Sequence, residues 1–212
     1  MRQLLIATSN PGKVREFREM LGGASGSFEW SDLSRHADAI PVEETGRTFL
    51  ANACLKAAGY ARQFETWALA DDSGLEVDAL GGAPGVSSAR WAVLNDAGEG
   101  DAANNALLLR RLEDVGDDRR TGRFVCVLAL ADPGGRIILT ARDTVEGRIL
   151  RAPKGLNGFG YDPLFFVQSL GKTTAELSPD EKHAISHRGK ALRRMRELME
   201  RAGLVPPAET TQ

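Results

Sequence analysis

Two rhythms of apolar and polar residues run along the chain, and the switches between them mark the elements. Leu4-Leu5-Ile6-Ala7 is an unbroken apolar run, short enough to be a strand buried on both faces. The pattern then resets. Asn10 sits where an N-cap is needed and Pro11 at the first helical position, where its missing N–H costs nothing; Val14, Phe17 and Leu21 follow at helical spacing up to Gly22-Gly23. Residues 47–65 read as a second helix with Thr48 as its cap, which places Asn52 and Lys56 on one face. Trp67-Ala68-Leu69-Ala70 is a second buried strand that runs into Asp71-Asp72-Ser73-Gly74, residues that also make turns. Asp101 opens a helix that ends at Gly116. Residues 123–131 are apolar on both alternating faces, Asp132-Pro133-Gly134-Gly135 is a turn, and 136–149 alternates as a partner strand, giving a hairpin in the middle of a sheet. A glycine-rich loop, "APKGLNGFGYDPLFF", leads into a short strand. Ser178-Pro179-Asp180-Glu181 forms a capping box, and Ser186 caps a longer helix through Leu192, Met195 and Leu198 to Gly203. No repeat, low-complexity tract or long linker divides residues 1–203, so these read as a single α/β domain with a mixed sheet, followed by a frayed tail at 204–212.

Composition narrows the ligands. The 212 residues are 42% hydrophobic and 26% charged, as in ordinary globular proteins, with a net charge of −2 and no block of Lys or Arg. Nucleic acid and anionic membrane surfaces therefore have no electrostatic footprint here, and a small ligand is expected. Cys54 and Cys126 stand alone in apolar segments, without zinc or C-x-x-C spacing, as reduced thiols of a cytosolic protein do. The N-terminal apolar run is too short for a signal peptide or a membrane span, which points to the cytoplasm.

Candidate chemistry gathers at four places: Thr8, Ser9, Asn10 and Lys13; Glu43 and Glu44; Asp71, Asp72 and Ser73; and Lys182, His187 and Arg188. In an α/β fold, loops at strand ends are where sites are built. Lys13 falls in a first helical turn, where the helix already presents partial positive charge. Either its side chain swings into solvent at a cost of a few tenths of a kcal/mol, or lysine and helix start together await an anion. On the second reading, Lys13→Ala should weaken binding of a triphosphate and slightly stabilise the empty protein. Glu43-Glu44 could simply favour a nearby helix dipole, and Asp71-Asp72 could be a turn, although an acidic doublet straight after an apolar strand is a costly way to make one. His187 and Arg188 load a second helix start with cations. Two cationic helix starts together with two acidic clusters fit a metal-bound polyphosphate. A P-loop ATPase is excluded: "ATSNPGKV" lacks the first glycine at the required spacing and has Val14 where Ser or Thr should hold magnesium.

Taken in order, "TSNPGK", "EETGRTFLANACLKA", "ADDSGLEVDALGGAPGVSSAR", "GFGYDP" and "EKHAISHRGKAL" resemble the inosine triphosphate pyrophosphatase family over residues 3–200. The resemblance implies an elongated mixed β-sheet flanked by helices, two lobes with an active-site cleft between them, and a homodimer. It implies Mg²⁺-dependent hydrolysis of ITP, dITP and XTP to the monophosphate and pyrophosphate, cleansing the nucleotide pool of deaminated purines. Thr8, Ser9, Asn10, Pro11, Gly12 and Lys13 would then grip the triphosphate and Lys56 would add positive charge. Glu43 and Asp72 would hold the metal, with Glu44 an alternative to Glu43. Asp72 would also be the general base, and Ser73 would bind substrate. Phe159, Gly160, Tyr161 and Asp162, with Lys182, His187 and Arg188, would form the purine pocket. A pyrophosphatase for other modified nucleotides and a non-catalytic purine nucleotide sensor are the alternatives; the presence of Asp72 and the acidic residues favours the enzyme.

Overall fold

A computed structural model describes residues 2–21 and 28–207. The expected helix stop at Gly22-Gly23 and tail residues 208–212 lie outside the described residues. Strands β1 (Arg2–Ile6), β2 (Phe28–Asp32), β3 (Trp67–Val77), β4 (Thr121–Ala131), β5 (Ile137–Ile149), β6 (Phe165–Val167) and β7 (Lys172–Thr173) form one open sheet in the order β2-β1-β3-β4-β5-β6-β7. Its helices are α1 (Pro11–Leu21), α2 (Phe49–Phe64), α3 (Gly100–Arg111), α4 (Pro179–Ile185) and α5 (His187–Arg201). β1 runs parallel to β2 and β3, the chain crossing over through α1 and α2, whereas β6 is antiparallel to β5 and β7. The sheet is mixed, as expected. Its fourth strand, β4, is buried continuously from Phe124 to Ala131, which explains why both of its alternating faces are apolar.

The chain falls into two compact units. The first comprises Met1–Asp72, Val127–Arg142 and Ala191–Gln212. It buries Leu4, Leu5, Phe17, Leu69 and Leu128, and α2 turns inward a row of small residues, Ala53, Ala57 and Ala61, at four-residue spacing. Thr48 caps α2 by accepting from Ala51 N, and Glu65 ends it at a left-handed φ of 47°. The second unit comprises Ser73–Cys126 and Asp143–Lys190. Its core joins Leu75 and Val77 to Trp91, Leu107, Leu108, Phe124, Ile149, Tyr161 and Phe165, with the Phe124 and Phe165 rings 4.4 Å apart.

Two elements differ from the sequence reading. The second buried strand does not stop before Asp71: β3 continues through Asp71-Asp72-Ser73-Gly74 to Val77. Apolar residues on both sides, Leu69-Ala70 and Leu75, keep the segment extended and buried while lysines neutralise its acids. The helix opened at residue 100 ends at Arg111 rather than Gly116. Leu112 N turns back to the carbonyls of Leu108 and Leu109, and the buried Arg120 guanidinium caps the Leu112 carbonyl at 2.6 Å while also donating to the carbonyls of Ile149 and Leu150. Arg120, beyond the end of the helical pattern, thus satisfies a carbonyl that the helix leaves unpaired.

Candidate active site

In the first unit the loop after β1 is shaped by its own side chains. Thr8 Oγ1 accepts from Asn10 N at 3.3 Å, Asn10 Oδ1 accepts from Lys13 N at 3.1 Å, and Asn10 O accepts from Val14 N at 3.0 Å. Asn10 is thus the N-cap, and Pro11 opens the helix with Gly12 behind it. Ser9 and Pro11 remain exposed. Lys13 neither swings into solvent nor stands alone: its ammonium is paired with the buried Asp71 carboxylate.

β3 makes that pairing possible. Successive strand residues point to opposite faces, so Asp71 and Asp72 face apart and each meets its own lysine. Lys56 Nζ, on α2, donates to Asp72 Oδ1 and to Glu44 Oε2, both at 3.1 Å. Both candidate acids are exposed, and the contact with Lys56 is what distinguishes Glu44 from Glu43. Burial alone would lower the Lys56 pKa, but the charges of Asp72, Glu44 and Asp71 outweigh it and raise it, so the ammonium stays charged. For Asp72 the balance is reversed. Burial pushes its carboxyl up to about 6 against the pull of Lys56 and Lys13. Its second oxygen, Oδ2, is buried and accepts no hydrogen bond. Asn52, one turn before Lys56, is structural: its Oδ1 accepts from Gly46 N at 2.7 Å and so shapes the segment that follows Glu44.

In the second unit a cationic cluster surrounds a half-buried ring. Lys182 Nζ lies 5.0 Å, and the Arg188 guanidinium 5.8 Å, from the centre of Phe159. Asp162 organises this loop. Its Oδ2 accepts from Lys182 Nζ at 2.6 Å and from Phe159 N at 2.9 Å, and its Oδ1 accepts from Thr174 Oγ1 at 2.8 Å. Tyr161 is 3% exposed and belongs to the core, donating its hydroxyl to the Ser88 carbonyl at 2.9 Å. Arg188, 1% exposed, donates to Ser73 Oγ at 2.8 Å. His187 stacks on Phe124 at 4.9 Å. Ser186 caps α5 as expected, accepting from Gly189 N at 3.1 Å.

Some participants escaped the sequence reading. Ser88 is one: its Oγ accepts from Leu75 N and its carbonyl holds Tyr161, so it ties β3 to the 159–162 loop. Asp101 and Asn105 are others, bonding the Gly160 backbone at 2.6 and 2.8 Å. The available signal was Asn104-Asn105 in the middle of a helical pattern, a disfavoured position unless the side chains have tertiary partners. Asn104 accepts from Ala92 N at 2.8 Å.

Fold and site together define an α/β protein whose lysines and one unsatisfied carboxylate oxygen suit a multiply charged anion and a cation. The chain belongs to the Ham1 family, whose model matches residues 4–198. It is 55% identical to a dITP/XTP pyrophosphatase of an Exiguobacterium species over 193 residues, 91% of this chain and 94% of the relative. It is 49% identical to the dITP/XTP pyrophosphatase of Geobacillus kaustophilus, over 94% of this chain and 95% of the relative. Among solved structures, a HAM1 protein from Coxiella burnetii superposes with a TM-score of 0.82 at 40% identity, covering 95% of this chain and all of the other. The nucleoside-triphosphatase, a dITP/XTP pyrophosphatase, of Mycobacterium abscessus superposes with a TM-score of 0.71 at 42% identity, over 91% of this chain and 98% of the other.

Proposed function

We propose that this protein hydrolyses the triphosphates of deaminated purines, ITP, dITP and XTP, to the nucleoside monophosphate and pyrophosphate. One observation carries the chemistry: Asp72 holds one oxygen on Lys56 and leaves the other buried and without a hydrogen bond. A buried acceptor so left is costly unless a ligand completes it. The names of the relatives supply the substrate class.

In this reading the loop from Thr8 to Lys13 and the Lys56 ammonium receive the triphosphate, lysine charge offsetting the repulsion between a polyanion and an electron-rich water oxygen. Asp72 Oδ2, the oxygen that accepts no hydrogen bond within the protein, accepts the water proton as the water oxygen bonds to phosphorus and pyrophosphate leaves. The donor set fits Mg²⁺. No group of three or more His, Cys, Asp or Glu side chains suited to a metal occurs among the described residues, but Mg²⁺ is commonly held by one or two carboxylates together with substrate phosphates and waters. Asp72 with Glu43 or Glu44 would hold it, and it would neutralise charge on the phosphates.

Phe159 stacks on the purine, and Arg188 donates to its 6-oxo oxygen, which adenine replaces with an amino donor. Lys182, His187 and Ser73 complete that end. No helix among the described residues is long and apolar enough to cross a membrane. A cytoplasmic homodimer acting on free nucleotides, with neither nucleic acid nor membrane as partner, completes the proposal. Steady-state assays of wild type and Arg188→Ala with ITP, XTP, GTP and ATP test it. The variant should lose most kcat/KM for ITP, a hydrogen-bonding site discriminating by up to about 10⁴, while the slow ATP rate changes much less. An equal loss on every nucleotide would make Arg188 a phosphate ligand and place base recognition elsewhere.

A further inference from the structure

The ring of Phe159 sits on a loop outside any helix or strand, and the peptide beside it is also fixed from α3. Gly160 N donates to Asp101 Oδ2 at 2.6 Å, and Gly160 O accepts from Asn105 Nδ2 at 2.8 Å. Asp101 and Asn105 lie one turn apart at the start of α3, so a single helix face holds both polar groups of one residue. Asn105 Nδ2 also donates to Asp101 O at 2.9 Å. Both groups facing that nitrogen are carbonyl oxygens, which fixes the orientation of the amide. Its Oδ1 is buried and accepts no hydrogen bond, an uncompensated acceptor that a packing residue would not need to carry. Gly160 itself has φ 62°, and Phe159 N is held by Asp162 Oδ2 at 2.9 Å. Every polar backbone contact described for this stretch therefore acts to hold one conformation of the Phe159-Gly160 segment.

We propose that Asp101 and Asn105 are positioning residues for purine binding: they clamp Gly160 and thereby set where the Phe159 ring meets the purine. The role rests on the purine-binding reading of Phe159 given above. Neither side chain needs to touch the nucleotide. Loss of the clamp frees the loop, so binding must pay for ordering it again, and KM rises while the Asp72 chemistry is unaltered.

The test is kinetic. Asn105→Asp keeps the shape but turns an acceptor toward the Gly160 carbonyl, and Asp101→Asn weakens the bond to Gly160 N; each is assayed with ITP in wild-type and Phe159→Ala backgrounds, with thermal melting recorded alongside. Each variant should raise KM by about three- to tenfold, the effect of one hydrogen bond of ordinary net strength, with kcat within about twofold. In the Phe159→Ala background the same substitutions should change KM by less than about twofold. Asn105→Gln, which retains the donor, should recover part of the affinity lost in Asn105→Asp. A fall in kcat at constant KM, or equal effects in both backgrounds, overturns the clamp. Should Asn105→Asp fail to fold, Asp101→Asn, at an exposed position, decides the same question. Wild type that releases no pyrophosphate from ITP overturns the functional reading and this role together; active wild type with unchanged KM in the variants overturns the clamp alone.

Discussion

Asp72→Asn removes the charge of the proposed base while keeping its shape. The residue is 5% exposed within β3, and burial raises its carboxyl from 3.8 to about 6 in spite of Lys56 and Lys13. That rise corresponds to about 3 kcal/mol in favour of the neutral group. Asparagine is neutral at every pH and its amide oxygen can still accept from Lys56, although Lys56 loses one countercharge and keeps Glu44. A net gain of about 1–2 kcal/mol, or about 2–6 °C in melting temperature for a chain of this size, should remain at pH 8. The direction with pH is fixed by the raised pKa. The wild-type preference for neutral Asp72 stabilises the fold fully below pH 3.8 and is lost as pH rises through about 6. The advantage of the variant should therefore be absent near pH 4 and complete by pH 8. Melting curves in chelator from pH 4 to 8, paired with turnover of ITP at saturating Mg²⁺, are the assay; kcat should fall by about 10² or more. A variant that melts below wild type at pH 8, or turns over at a near-wild-type rate, refutes the reasoning.

Lys13→Ala should lower the melting temperature of the ligand-free protein, by about 2–4 kcal/mol in stability, because it takes the ammonium from a fully buried carboxylate; a rise, the outcome expected of a lysine held at a helix start only to await an anion, would contradict that pairing. Tyr161 is held far above its ordinary 10 by burial and by the charge of Asp101, so in a Tyr60→Phe background phenolate absorbance should appear only as the protein unfolds. Because that pKa is raised, the stability it lends is present below pH 10 and lost above it, and a reversible phenolate signal in the folded protein would contradict the burial. Gly74→Ala should cost about 1–3 kcal/mol in chemical denaturation, since a Cβ there would collide with Ser88 Oγ and lie 2.6 Å from the Gly85 carbonyl; unchanged stability would mean that this contact relaxes freely.

Much of the fold was legible because its signals are local. The Thr48 and Ser178 caps, the Asn10-Pro11 helix start and the doubly apolar β4 each follow from side chains within a few positions. The extent of β3 was not, because Asp-Asp-Ser-Gly has the composition of a turn and its acids are neutralised by lysines from α1 and α2 that are 58 and 16 residues away. The Lys13–Asp71 pair, which reverses the expected sign of the Lys13→Ala effect on stability, was hidden for the same reason: the partner is remote in sequence. The adjacent acids Glu43 and Glu44 were indistinguishable until Lys56 was seen to reach the second. Among the aromatics of "GFGYDP", pattern alone could not assign Phe159 to the loop surface and Tyr161 to the core; the hydrogen bond of Tyr161 to Ser88 does. The Asp101–Asn105 clamp left only the faint trace of two asparagines inside a helix.

Phosphorus NMR of a dITP reaction with Mg²⁺, followed to completion with the purified protein, tests the central claim most directly. One pyrophosphate and one dIMP should appear for each dITP consumed, with no orthophosphate and with the rate lowered by about 10² or more in Asp72→Asn. Orthophosphate appearing together with dIDP would contradict it.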